Sequence, residues 1–228
     1  MSTRNASLSL RVLARLLDYP TDDLRSNLSE LSAALDEEGA LSAGRRAELG
    51  RLMDEIRRKD QLDVEASYVD LFDRGRATSL HLFEHVHGDS RERGQAMVDL
   101  QQTYAQGGLY FADRELPDYL PAVLEFASTQ PPEQARAFLG EIAHIINALF
   151  AALEKRRSHY AAAMGALLDL AGEKATPLVL PQEPTLDEAW VEPDPFGGCS
   201  IDGQSKPDQP QPIHFVRHSA SLTSGAAK

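Results

Sequence analysis

The sequence predicts an all-α protein: a single-domain helical bundle over residues 1–172 with a flexible, Pro/Gly-rich C-terminal tail over 173–228. Three observations lead there. Apolar residues recur at three- and four-residue spacing in one segment after another, the period of a helix face. The segments open on residues that cap helices and close on Gly or Pro. No stretch keeps the apolar–polar alternation of a half-buried strand over a useful length.

Residues 7–18 begin a helix, with Ser7 as candidate cap and Leu10, Leu13 and Leu17 on one face; Tyr19-Pro20 ends it, because the residue before proline is pushed out of the helical region. Thr21 caps a second helix, whose Leu24, Leu28, Leu31 and Leu35 share a face and which Gly39 stops. Leu49, Leu52, Met53 and Ile56 mark a third. Val64, Tyr68, Leu71 and Phe72 mark a fourth, broken at Gly75. Thr78 or Ser79 restarts the chain into SLHLFEHVH, a helix that Gly88 stops. Asp89 with Glu92 forms a candidate capping box for the next helix, whose stripe is Met97, Leu100 and Tyr104 and which ends at Gly107-Gly108. Pro117 and Pro121 suit the first turn of a further helix, where a missing N–H costs nothing. Pro131-Pro132 opens the longest periodic run, to about Arg157, and an alanine-rich helix runs from Ser158 to Gly172.

Beyond Glu173 the character changes. Eight of the chain's 13 prolines lie between Pro177 and Pro212, and such a segment buries too little apolar area to offset its ordering entropy. LDEAWVEPDPF (186–196) is a candidate docking patch within it.

Composition excludes several classes. A net charge of -12 leaves nothing to neutralise a run of phosphates, so nucleic acid is not the partner; a negative field instead draws basic ligands. A single cysteine, Cys199, rules out an intrachain disulfide. Arg11 and Arg15 interrupt the apolar start, so no signal peptide is expected, and no apolar run approaches the ~20 residues of a membrane span. A cytoplasmic protein without direct membrane insertion is expected.

The stretch YVDLFDRGRATSLHLFEHVHGDSRERGQAMVDL (68–100) holds the densest chemistry, including His81, His85, His87 and the arginines Arg74, Arg76, Arg91 and Arg93. One reading is a metal-dependent helical-bundle enzyme. Paired-metal bundles use two Glu-x-x-His motifs, and Glu84-x-x-His87 and Glu141-x-x-His144 match that spacing. At 100° per residue, Leu80, Phe83 and Val86 form an apolar arc on which His87 lies, so the first motif can face inward. The second cannot: against the stripe of Phe138, Ile142, Ile145, Ile146, Leu149 and Leu153, both Glu141 and His144 turn toward solvent. A mononuclear site would use His81 and His85, one turn apart, but His87 is rotated away from them. No GxSxG, P-loop or Gly-rich strand-to-helix turn occurs, and Cys199 lies in the tail as an incidental thiol.

The other reading is recognition. His81, Glu84 and His85 form a polar face between arginine-rich turns, and ion pairs of those arginines with Asp73, Asp89, Asp99 and Glu92 account for part of the charge. Tyr68, Phe72, Leu80 and Phe83 form the expected floor of a groove that takes an amphipathic helix.

The 68–100 block resembles the signature of the nitrate reductase molybdenum cofactor assembly chaperones, the delta subunit family. RELPDYLPAVLEF (114–126) resembles the family's second block, and LDEAW is a looser similarity. The resemblance spans roughly 60–190, while the first 60 residues agree only in helical pattern. It implies an all-helical fold of the redox-enzyme maturation chaperone type and no enzymatic activity. It also implies a partner: the N-terminal segment of the apo catalytic (alpha) subunit of membrane-bound respiratory nitrate reductase. That subunit is kept competent for insertion of its molybdenum bis-guanine-dinucleotide cofactor, which the chaperone does not itself hold stably. Whether the chaperone is a monomer or a homodimer stays open.

In the wider superfamily a Glu-x-Pro-Asp-His motif helps bind the partner's leader peptide. It reads here Glu115-Leu116-Pro117-Asp118-Tyr119, with tyrosine where histidine is commoner, which favours stacking or hydrogen bonding over a protonation switch. The expected peptide contacts are Tyr68, Phe72, Arg76, Leu80, Phe83, Glu84, His87, Glu115, Pro117, Asp118 and Tyr119. Glu115 and Asp118 are to meet the peptide's positive charge, with Tyr68, Phe72, Leu80 and Tyr119 as the apolar grip. On this view Asp118→Ala weakens binding and leaves the fold intact.

Overall fold

Leucines set the core. Helix α1 (Ser7–Leu17) buries Leu10, Val12, Leu13, Leu16 and Leu17 at once, too many for one stripe, so it runs through the middle of the bundle. The computed structural model describes residues 5–86, 92–110 and 116–176, all of which lie in one structural unit, Met1–Gln182. On α1 pack α2 (Asp22–Glu38), α7 (Leu120–Thr129) and α9 (Ala161–Ala171); α3 (Ala43–Arg58) lies against α2 and α9, and α8 (Pro132–Lys155) along α9 and against α7. On the edge sit α4 (Gln61–Phe72), a 3-10 turn (Arg76–Thr78), α5 (Leu82–Val86) and α6 (Glu92–Gln106).

Local chemistry fixes most ends. The Thr21 hydroxyl accepts from Leu24 N, and Gly39 closes α2 at φ 61°, as the sequence expects. Ser42 and Asp60 cap α3 and α4 in the same way. Pro132 stands in the first turn of α8, and Gly172 ends α9 at φ 82°. Ser7 differs from expectation. It is the first helical residue, its hydroxyl donating 2.7 Å to Ser128 O. The start of α1 is capped instead by Glu38, whose carboxylate accepts from Leu8 N, Ser9 N and the Ser9 hydroxyl.

α8 bends by 64° between Pro132–Glu141 and Ala143–Lys155. Among the described residues no single helix is long and apolar enough to cross a membrane. The alanine-rich helix begins three residues later than expected, at Ala161. The first residues past it are held: Asn147 Nδ2 donates 3.1 Å to Thr176 O, and Thr176 N donates 2.9 Å to Asn147 Oδ1. LDEAW, Cys199 and the rest of the expected tail from 177 lie outside the described residues, as do His87, Asp89, Arg91 and Glu115.

The largest departure is at 76–86. The expected helix from Thr78 or Ser79 through SLHLFEHVH is instead, after a 3-10 turn at Arg76–Thr78, an extended stretch and the five residues of α5. His81 forms an isolated antiparallel bridge with Tyr119, sealed by Leu82 N to Asp118 O (3.0 Å) and Leu120 N to Leu80 O (2.9 Å). These backbone bonds come from a segment 36 to 40 residues away, and they outweigh the local helical period. The apolar arc is therefore not kept: Leu80 and Leu82 are buried, while Val86 is 54% exposed.

Candidate functional site

The bridge brings the polar residues of 81–84 against the second sequence block. At its centre is Asp118, 0% exposed. Its Oδ2 accepts from Phe83 N at 3.1 Å, at the start of α5, and its Oδ1 lies 3.3 Å from His81 Nδ1. A carboxylate only accepts, so Nδ1 carries the proton in that contact. Arg93 from α6 approaches Asp118 Oδ2 at 3.7 Å and Glu84 Oε1 at 3.6 Å. One buried carboxylate thus ties together the bridge, α5 and α6.

Tyr119 lies across the His81 ring, centroids 5.3 Å apart at 34°. Its hydroxyl is 3.0 Å from that of Tyr68, which donates 2.9 Å to Leu17 O at the end of α1. With that proton committed, the single Tyr119 proton is shared between the Tyr68 oxygen and Asp18 Oδ1 at 3.3 Å. Tyr104 of α6 donates 2.8 Å to Pro117 O. Burial, and then the neighbouring Tyr119 and Asp18, pushes the Tyr68 phenol far above its usual range. Burial likewise raises Tyr119, Tyr104 and Tyr160.

Over this junction opens a cleft of about 390 Å³ lined by Phe72, Asp73, Arg74, Gly75, Arg76, Ser79, His81, Glu84 and Arg93. Gly75 allows its back wall. Its φ is -112°, so no left-handed turn requires glycine, but a Cβ there would fall 2.6 Å from the Arg156 guanidinium and 2.9 Å from Thr78 Oγ1.

The structure redistributes the expected site residues. Arg76, Glu84 and Phe72 line the cleft, with Phe83, Pro117 and Tyr119 partly exposed nearby. Tyr68, Phe72 and Leu80 are buried core residues. Tyr68 and Phe72 close an aromatic cluster with Tyr160, so they are a poor apolar grip for an incoming peptide. Asp118 is equally inaccessible: a ligand's cation reaches it only by displacing Arg93 and His81. His81 and His85 are not a ligand pair, since His81 is outside the helix and His85 Nε2 donates 2.8 Å to Ser79 O. Among the described residues no group of three or more His, Cys, Asp or Glu could hold a metal ion. Glu141 and His144 are both exposed. Two of the four arginines pair differently from expectation: Arg74 with Asp70 at 3.1 Å, and Arg93 with Glu84 and Asp118.

Sequence reasoning missed a second surface. Tyr19, Leu62, Glu65, Ala66, Val69 and Asp70 border an open groove of about 670 Å³ on the outer side of α4, joined to the first cleft at Arg74. The signal was present as a second apolar spacing in α4, Leu62, Ala66 and Val69, offset from the Val64–Tyr68–Phe72 stripe.

Comparison with known proteins agrees with the sequence resemblance. The nitrate reductase delta subunit family model matches residues 38–165, beginning earlier and ending earlier than the 60–190 expected. The chain is 45% identical over 164 residues to the nitrate reductase molybdenum cofactor assembly chaperone NarJ of Escherichia coli (strain K12), covering 72% of this chain and 70% of that one. It is 32% identical over 171 residues to the probable assembly chaperone NarJ of Bacillus subtilis (strain 168), covering 74% and 90%. A solved structure from Archaeoglobus fulgidus, described as a putative redox enzyme maturation protein, shares the fold, with a TM-score of 0.52, 18% identity, and 76% and 98% of the two chains covered. By model match and by identity, the chain belongs to the nitrate reductase delta subunit family.

Proposed function

We propose that this protein is a dedicated assembly chaperone of respiratory nitrate reductase. It binds the N-terminal segment of the apo catalytic (alpha) subunit and keeps that subunit competent to receive its molybdenum bis-guanine-dinucleotide cofactor, acting by binding rather than by catalysis. The observation that carries this reading is the 45% identity to a relative described as a nitrate reductase molybdenum cofactor assembly chaperone.

The site chemistry suits the role. The Arg74–His81–Glu84–Arg93 cleft is polar and fixed by the Asp118 junction, which provides a preorganised seat for the polar end of a peptide. The chain's negative charge steers a basic segment toward it. Of the expected contacts, Arg76, Glu84, Phe83, Pro117 and Tyr119 stay candidates for direct contact, while Asp118, Tyr68 and Leu80 hold those residues in place.

Titration with a peptide copying the first ~20–30 residues of the catalytic subunit, a length suited to a groove-bound helix, tests the reading. Saturable one-to-one binding that weakens as salt rises is expected. Absence of binding, with stoichiometric zinc or iron in the purified protein, would overturn it in favour of a metal site.

A further inference from the structure

Helix α4 has apolar side chains on two faces. At 100° per residue, Val64, Tyr68, Leu71 and Phe72 point one way and pack into the core. Leu62, Ala66 and Val69 fall within about 60° of each other on the other side. Leu62 is 73% exposed, and the neighbouring Tyr19 ring, stacked edge-on against Tyr68, is 41% exposed. A lone exposed leucine needs no explanation; a leucine, an alanine, a valine and a tyrosine along one groove wall do.

The polar surround of this stripe is acidic except at its far end, where Arg74 pairs with Asp70 at 3.1 Å. From Asp60 to Asp73 the chain carries Asp60, Asp63, Glu65, Asp70 and Asp73 and no basic residue. By the same helical rotation Glu65 flanks the stripe on one side, and Asp63 and Asp70 on the other. Glu65 is held by Gln61 Nε2 at 2.7 Å. An apolar track between two acidic rails matches an amphipathic helix whose apolar face lies between Lys or Arg side chains. Like charge disfavours a second copy of this chain, since each would present the same acidic rails. The chain's own 183–196 segment is disfavoured equally: it carries Glu183, Asp187, Glu188, Glu192 and Asp194 without a basic residue.

We infer that the outer face of α4 is the apolar half of the peptide seat, gripping one turn after another of a basic amphipathic helix at Leu62, Ala66, Val69 and Tyr19. The inference rests on the functional reading above and assigns it the hydrophobic contacts that the buried Tyr68, Phe72 and Leu80 cannot make. From Leu62 to the end of α4 at Phe72 the track spans about 15 Å at 1.5 Å per residue, enough for a helix of about ten residues. At Arg74 it meets the polar cleft.

The test uses the full-length protein and the catalytic-subunit peptide, with two variants on exposed positions, Leu62→Gln and Ala66→Lys. Binding roughly tenfold weaker for Leu62→Gln is expected from loss of one buried leucine contact, and weaker still for Ala66→Lys, with helical circular dichroism unchanged. Unchanged affinity in both variants, with the wild type binding, overturns the α4 seat and leaves the chaperone reading standing. No binding by the wild type overturns that reading and the seat with it. A wild-type dimer that Ala66→Lys dissociates would assign the face to a second copy and overturn the inference.

Discussion

The junction around Asp118 and the outer face of α4 depart from the ordinary placement of side chains in opposite senses. The junction takes a carboxylate out of water and surrounds it with an imidazole, a guanidinium and a backbone N–H. The α4 face leaves Leu62, Ala66 and Tyr19 in water with nothing among the described residues covering them. Buried polarity is costly unless every group is paired, and it then fixes one arrangement of the chain. Exposed apolarity contributes nothing to the isolated fold and gains value only when another surface covers it. The contrast separates residues that build the site from residues that touch what it binds. Of the motif Glu115–Tyr119, which reads as a contact motif in sequence, Asp118 falls in the first group.

The strongest way to break the building half is to ionise it. Tyr68, Tyr104 and Tyr160 are buried and Tyr119 is half-buried, and all four hold their protons more tightly in the folded state than a free phenol does. Above about pH 10, the usual tyrosine pKa, the unfolded chain loses protons that the folded chain keeps. Fewer protons on the unfolded state means stability falls as pH rises. It is complete below pH 10 and decreases progressively above it. Phenolate absorbance from these rings is expected to appear together with loss of helix in a single alkaline transition. Stepwise ionisation with the helix signal intact would show that the aromatic cluster opens without unfolding.

Next in size is Asp118→Ala. Removing the carboxylate leaves Phe83 N without its acceptor, takes the carboxylate from His81 Nδ1 and leaves Arg93 with Glu84 alone of its two carboxylates. Breaking a buried charge cluster from one side costs on the order of 3 kcal/mol, read as a lower urea midpoint. This replaces the expectation, natural from sequence alone, that the substitution weakens binding and spares the fold. A variant with the wild-type midpoint but weaker peptide binding would return Asp118 to the contact group.

The sequence read the bundle well because helix ends are local. Thr21, Gly39, Pro132 and Gly172 act on bonds within a few residues, so their identity suffices. The 76–86 segment failed for the converse reason. SLHLFEHVH has a helical period, and only pairing with 118–120, from beyond α6, makes its first residues extended. Periodicity also names an apolar stripe without saying what covers it. In α4 it found the Tyr68–Phe72 stripe, which the core uses, and that stripe was assigned to the ligand. The Leu62–Ala66–Val69 stripe, the one left open, was not read. Asp118 shows the same limit for charge: a carboxylate beside a proline looks like surface until a distant histidine and arginine are folded onto it.

The smallest effect sharpens the comparison most, because it places both faces of one helix side by side. Val64 and Leu62 are two residues apart in α4, the first buried at 5% exposure and the second open to solvent. Val64→Ala removes packed methyl groups and is expected to cost about 2 kcal/mol. Leu62→Ala removes more carbon yet is expected to change stability by less than about 0.5 kcal/mol, as exposed substitutions usually do. Urea unfolding of the two variants measures the difference directly. A Leu62→Ala cost near that of Val64→Ala would mean the outer face is already covered, by a second copy or by a part of the chain outside the described residues, and so is not a vacant seat. A cost near zero leaves Leu62 without a role in the isolated fold. In an exposed groove between fixed carboxylates, what remains for it is contact with a partner.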